Sequence, residues 1–97
     1  MTEFEINKAV AEKLGMEFPE LIDKDSYYPL TYFTEDGKDI LSFNPCNNVE
    51  QAWEIMMKYN IGVIKNYYDD TWISVSSAGQ IEHKNPLIAA MICFLEL

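Results

Sequence analysis

The last twelve residues of the chain, Pro86 to Leu97, place the strongest constraint on its fold. The nine residues from Leu87 to Leu95 carry no charge and no strong hydrogen-bonding group. Asn85 and Pro86 predict a helix start, because Asn can accept hydrogen bonds from the free amides and Pro has the backbone angle of a first turn. Such a helix is about 18 Å long, shorter than the roughly 20 apolar residues of a membrane span. We therefore predict a buried core helix that organises the rest of the chain.

The composition is that of a small globular domain. The chain has 97 residues, of which 48% are apolar, and this length is just sufficient for one core without disulfides or a structural metal. We predict a single domain over residues 1–97. The N-terminus shows no signal-peptide pattern, so we expect the protein to stay in the cytoplasm where it is made. Cys46 and Cys93 are expected to be reduced packing residues.

The charge balance excludes one class of partner. Sixteen acidic residues against seven lysines, with no arginine, give a net charge of −9. A phosphate backbone requires a basic surface, and readout of guanine prefers arginine, so we expect no direct nucleic-acid binding. The acids are spread along the chain, which is typical of a solvated surface. The alternative is that they imitate the charge of a nucleic-acid backbone.

The N-terminal residues predict a helix followed by an irregular arm. Thr2 forms a capping box with Glu5, and Gly15 is a natural left-handed terminator. From residue 16 to residue 45 prolines interrupt the chain. Within this arm Thr31–Thr34 and Ile40–Phe43 flank an Asp-Gly pair, which predicts a small hairpin.

The most regular apolar pattern lies in the second predicted helix, which follows an asparagine pair and ends at Asn60. Glu54 and Lys58 are expected to pair on its outer face. The apolar residues fit the spacing of an amphipathic helix. We expect this stripe to pack in the core rather than to form a ligand groove, and its members are Val49, Ala52, Trp53, Met56 and Met57.

Three short strands precede the last helix, and links of two or three residues predict that they form an antiparallel meander. In the middle strand we expect Ile73 and Val75, together with Ile64 and Ile81, to face the last two helices. Trp72 then faces the other side, under the first helix or the arm. The sequence therefore predicts an α+β fold in the order helix, hairpin arm, helix, three strands, helix, with helices on both faces of the meander. The predicted strands are Ile61–Tyr68, Thr71–Ser76 and Gln80–Lys84.

Three segments carry a family resemblance: INKAVAEKLGM near the N-terminus, SFNPCNNVEQAWEIM entering the second helix, and HKNPLIAAMICFLEL at the end. With the order of elements, they make the chain similar to the phage ABA sandwich domain, a family of small proteins from bacteriophages and prophages. The resemblance runs from Ile6 to Leu97. It implies an α-β-α sandwich, a phage origin and hence the cytoplasm of a bacterial host. It implies no catalytic motif. The arm of residues 16–45, which we call the aromatic arm because Tyr27, Tyr28, Tyr32 and Phe33 lie in it, departs from the Trp- and Pro-rich arm of many members.

No pattern in the chain predicts catalysis. His83 is the single histidine, and general acid–base chemistry needs a partner group at a defined distance. Metal-ligand spacings, a nucleophile elbow, a phosphate-binding loop and a dinucleotide fingerprint are all missing from the sequence. We therefore expect a protein that is not an enzyme, with no cofactor and no metal.

Two functional hypotheses remain. The first is an accessory protein that binds a host or phage protein through the aromatic arm and an exposed sheet edge; self-association stays open, and no membrane is involved. The second is an acidic inhibitor that occupies the nucleic-acid groove of a host enzyme. The predicted partner-binding residues are Tyr27, Tyr28, Tyr32 and Phe33, because tyrosine offers a large contact area with a polar tip. The structural alternative is that these four residues cover the Trp72 side of the sheet.

Overall fold

The order of elements in the computed structural model, which describes residues 1–16, 30–33 and 40–97, is the predicted one. In the described residues, three helices and a three-stranded antiparallel sheet confirm the α+β class, and the packing of helix on sheet is consistent with the sandwich. A separate two-stranded antiparallel hairpin follows the first helix and precedes the second in the sequence. The elements are α1 Glu3–Lys13, β1 Leu30–Phe33, β2 Ile40–Phe43, α2 Val49–Tyr59, β3 Gly62–Asn66, β4 Thr71–Ser76, β5 Gly79–His83 and α3 Pro86–Leu95.

The helix ends follow local sequence signals. In α1 the Thr2 hydroxyl accepts from the backbone N–H of Glu5, and the Glu5 carboxylate accepts from the backbone N–H of Thr2, so the predicted capping box is present. Asn48 caps α2, and Asn60 ends it in the left-handed region at φ 56°. Asn85 accepts from two amides of the first turn of α3. These boundaries are determined by contacts over three or four residues.

The predicted core helix, α3, is the centre of the molecule. It packs against all three strands of the larger sheet and against both other helices. The Phe94 ring lies 4.8 Å from that of Tyr59 on α2, and the Lys13 ammonium on α1 donates to the Phe94 carbonyl at 2.9 Å. Among the described residues no helix has both the length and the apolarity needed to cross a membrane. The buried residues of α3 are Ile88, Ala89, Ala90, Met91, Cys93 and Phe94.

The three-stranded sheet has the order β3-β4-β5, and it presents a different face to the core from the one predicted. Ser74 is fully buried, and its cross-strand partners Val63 and Ile81 pack against the core. Trp72 lies on this same face because residues two apart point the same way. The expectation that Ile73 and Val75 form the core face was therefore wrong. The core face is set by register with the neighbouring strands, which the middle strand alone does not reveal.

A polar network joins α1 to the loop before α2. The Asn7 side chain donates to Asn44 Oδ1 at 2.8 Å and accepts from the backbone N–H of Cys46 at 3.2 Å. Asn47 Nδ2 also donates to Asn44 Oδ1, at 3.1 Å. Gln51 of α2 accepts from the Asn44 backbone N–H at 2.7 Å. Asn7 is itself buried, so this network fixes the loop from which α2 starts.

Candidate functional site

One side of α2 exposes a row of large apolar side chains to solvent. Val49 is 66% exposed, Trp53 57% and Met57 60%, and their spacing of four residues places them along one stripe of the helix. The prediction that they pack in the core was wrong, whereas Ala52 and Met56 are buried as predicted. Compared with the predicted stripe, the side of α2 that faces the core is shifted around the helix toward Ile55, which is buried, and Tyr59, which packs against the core.

Val49 and Trp53 of the exposed stripe, with Met56, form one wall of a concave surface between α2, the sheet and the start of α3, and Met57 continues the stripe beyond this surface. This surface encloses a volume of about 550 Å³ and is predominantly apolar. We call it the apolar groove, and its lining residues are Val49, Trp53, Met56, Val63, Trp72, Lys84, Asn85, Pro86 and Leu87. Both tryptophans of the chain belong to it.

Polar contacts hold the α2 wall of the groove in place. The Asn48 side chain accepts from the backbone N–H of Gln51 at 3.1 Å, which caps α2 at the residue before Val49. Gln51 Nε2 donates to the Ser42 carbonyl at 2.8 Å, so the first turn of α2 is tied to β2. The α2 wall is therefore pre-formed, and this lowers the entropic cost of binding a partner.

The opposite wall is held by the sheet and by the cap of α3. The Lys65 ammonium lies 5.2 Å from the centre of the Trp72 ring and 2.7 Å from Asp70 Oδ1. This hydrogen bond and the charge of Lys65 lower the pKa of Asp70. His83 Nδ1 accepts from the backbone N–H of Asn85 at 2.9 Å. In the described chain the single histidine thus supports the turn that presents Pro86 to the groove.

The rim of the groove on α2, by which we mean the exposed residues that flank the apolar stripe, carries more negative than positive charge. Glu50, Glu54 and Lys58 are exposed on α2, each one residue beyond a member of the apolar stripe, and the Lys58 ammonium lies 5.6 Å from the centre of the Tyr59 ring. Among the described residues the ion pair is that of Lys65 with Asp70, so the expected pair of Glu54 with Lys58 is not formed. Lys84 lies on the opposite wall. The α2 rim therefore carries two carboxylates without a cationic partner in the part of the chain that is described.

The structure describes only part of the segment that the sequence predicted as partner-binding. Tyr27 and Tyr28 lie outside the described residues. Tyr32 and Phe33 belong to β1, where their backbones pair with Leu41 and Ile40 of β2. Their role in binding stays a prediction. The groove itself was missed, although the unusual width of the apolar arc on α2 was a signal for it.

The cysteines are placed as packing residues, as predicted. Cys46 and Cys93 are both unpaired and buried. Burial, and to a lesser extent the charge of Glu3, raises the pKa of the Cys46 thiol to about 12, so it stays a protonated, weak nucleophile near neutral pH. Within the described ranges no three residues among His, Cys, Asp and Glu come together as a metal site.

Comparisons with known proteins give one family and one solved structure. The family model described as "Bacteriophage P22, NinX" matches residues 1–96. A 2.0 Å crystal structure of a phage protein from Bacillus cereus ATCC 14579 is 21% identical, with a TM-score of 0.62, over 99% of this chain and 91% of that chain. At this identity the structural match shows the fold alone. No curated protein matches the chain significantly. The family match confirms the relationship to small phage proteins that the sequence predicted.

Proposed function

The chain belongs to the bacteriophage P22 NinX family, and on that premise we propose that it is a small phage accessory protein that binds another protein, of the host or the phage, through the apolar groove. The observation that carries this proposal is the exposure of Trp53 at 57% beside a concave apolar surface. Tryptophan is among the residues that contribute most to protein interfaces. Large exposed apolar patches on small proteins are characteristic of binding sites.

The proposed action is non-enzymatic and takes place in the cytoplasm of the bacterial host. The state of the thiols in the described chain supports a non-enzymatic action. Both cysteines are buried, and burial raises the pKa of Cys46 to about 12. His83 is engaged with the backbone of Asn85. These side chains are used for packing and capping, which leaves the apolar groove as the better candidate for function.

The alternative, a nucleic-acid-mimicking inhibitor, predicts a different dependence on salt. The described acids lie on α1, on α2, in the turn before β4, on β5 and at the end of α3, rather than in one row. Binding through the groove buries apolar surface and weakens only modestly with added salt, whereas binding through a charge-mimicking surface weakens steeply. A steep salt dependence that is insensitive to Trp53 therefore supports the inhibitor.

The test compares capture of host proteins by the wild-type protein and three variants. We expect a protein that is retained by the wild type to be lost with Trp53→Ala and kept with Tyr68→Ala. The second variant is the matched control, because Tyr68 is an aromatic residue that is 100% exposed but lies in the turn before β4, outside the groove. Met57→Glu gives an independent test at a position that is 60% exposed. Capture that survives both the groove variant Trp53→Ala and the stripe variant Met57→Glu, at unchanged melting temperature, contradicts the proposal.

The aromatic arm is tested separately by Tyr28→Ala. If the arm is the interface, this variant abolishes association and changes stability by less than about 1 kcal/mol. If the arm covers the fold instead, the same variant lowers stability by about 3–5 kcal/mol and leaves association unchanged. Thermal melting and sedimentation distinguish the two results.

A further inference from the structure

The rim of the apolar groove specifies the charge of its occupant. Glu50 and Glu54 stand beside the stripe of Val49, Trp53 and Met57, and neither carboxylate has an ion-pair or hydrogen-bond partner among the described residues. Lys58 also follows a stripe residue, but its ammonium lies 5.6 Å from the Tyr59 ring, so the rim beside Trp53 is acidic. The chain as a whole carries a charge of −9. A basic partner is attracted both at long range by the net charge and locally by this rim.

The shape of the groove specifies the secondary structure of its occupant. The stripe repeats every four residues along α2, a spacing of about 6 Å. An α-helix that presents apolar residues at intervals of three and four matches this repeat, as in helix-in-groove recognition. The amides of α2 are bonded within the helix, so a partner on this wall must bind by side-chain packing rather than by adding a strand.

We propose, on the basis of the function proposed above, that the groove binds an amphipathic α-helix of another protein. The apolar face of this helix packs on Trp53, and lysines or arginines along one flank reach Glu50 and Glu54. Lys84 on the opposite wall favours an acidic or neutral second flank. A second copy of this chain is a poorer occupant, because two chains of charge −9 repel each other.

The experiment uses the intact protein and three fluorescent peptides of about 16 residues, a length near the minimum for a stable helix. The first is a stapled amphipathic helix with Leu on one face and Lys along one flank. The second has Glu in place of Lys. The third is a linear peptide with the Leu and Lys content of the first, interrupted by proline. None contains Trp. Since both tryptophans of the protein line the groove, their emission reports occupancy directly, beside peptide anisotropy.

We expect the basic helix to bind about five- to tenfold more tightly than the acidic helix, as two weak surface ion pairs allow, and more tightly than the linear peptide. Trp53→Ala should weaken binding about tenfold. The double variant Glu50→Lys/Glu54→Lys should remove or reverse the preference for the basic helix. The matched control, Glu12→Lys/Glu96→Lys, changes the net charge equally at exposed sites outside the groove and should retain the preference.

Several results overturn the inference. They are equal binding of the basic and acidic helices, stronger binding of the linear peptide, absence of binding by the basic helix, or an equal loss of preference in the control double variant. A dimer that is dissociated by Trp53→Ala assigns the groove to a second copy instead. If a host protein is still captured in a Trp53-dependent way while the basic helix shows no advantage, the occupant proposed here is wrong and the groove remains a binding site. If neither depends on Trp53, both proposals fail.

Discussion

Removing the buried amide of Asn7 tests whether the polar network positions α2. In the change Asn7→Ala the backbone N–H of Cys46, a fully buried residue, loses its partner. An orphaned buried donor costs about 1–3 kcal/mol, and the lost bond to Asn44 contributes about 1 kcal/mol more. Asn44 Oδ1 still accepts from Asn47. Alanine is the better helix former by about 0.5 kcal/mol, so the net loss is about 1.5–3.5 kcal/mol.

Urea unfolding and thermal melting measure this loss. For a domain of this size, we expect the melting temperature to fall by about 10–20 °C. Asn47→Ala is the control, because Asn47 is exposed and donates to Glu3 and Asn44, so its removal should cost less than about 1 kcal/mol. If Asn7→Ala costs under about 1 kcal/mol, or no more than Asn47→Ala, the network does not hold the loop before α2 and the argument fails.

Three further predictions concern the core. Met91→Ala should lower the free energy of unfolding in urea by about 2–5 kcal/mol, because Met91 is fully buried on α3. The control Met57→Ala, at an exposed position, should lower it by less than about 1 kcal/mol. A decrease below about 0.5 kcal/mol for Met91→Ala refutes the central role of α3. Ser74→Ala should leave stability unchanged or raise it by up to about 1 kcal/mol, because the buried hydroxyl has no partner among the described residues; a loss above about 1 kcal/mol shows that it has one. Cys46 and Cys93 should resist iodoacetamide in the folded protein at mildly alkaline pH, because both are buried, and should react in urea. Mass spectrometry measures the modification. Modification of Cys46 in the folded protein contradicts its raised pKa.

The sequence alone determined the order of elements and most of their ends. Thr2, Asn60 and Asn85 act on backbone groups within a few residues, so their effect does not depend on the rest of the fold. The core position of α3 was also determined, because a helix that is apolar on every side is stable only when it is surrounded.

Only the tertiary structure decided which faces of α2 and β4 lie in the core. The apolar residues of α2, from Ile55 round to Met57, cover about 200° of the helix circumference at 100° per residue, whereas packing on one neighbour needs an apolar stripe of only about 100° or somewhat more. The sequence therefore could not say that Val49, Trp53 and Met57 form the exposed remainder, of which Val49 and Trp53 line the candidate site. In β4 both faces carry apolar residues, and the buried one includes Ser74. Which face of β4 is buried depends on the pairing of Ser74 with Val63 on β3 and Ile81 on β5. These strands lie beside β4 only in the folded chain.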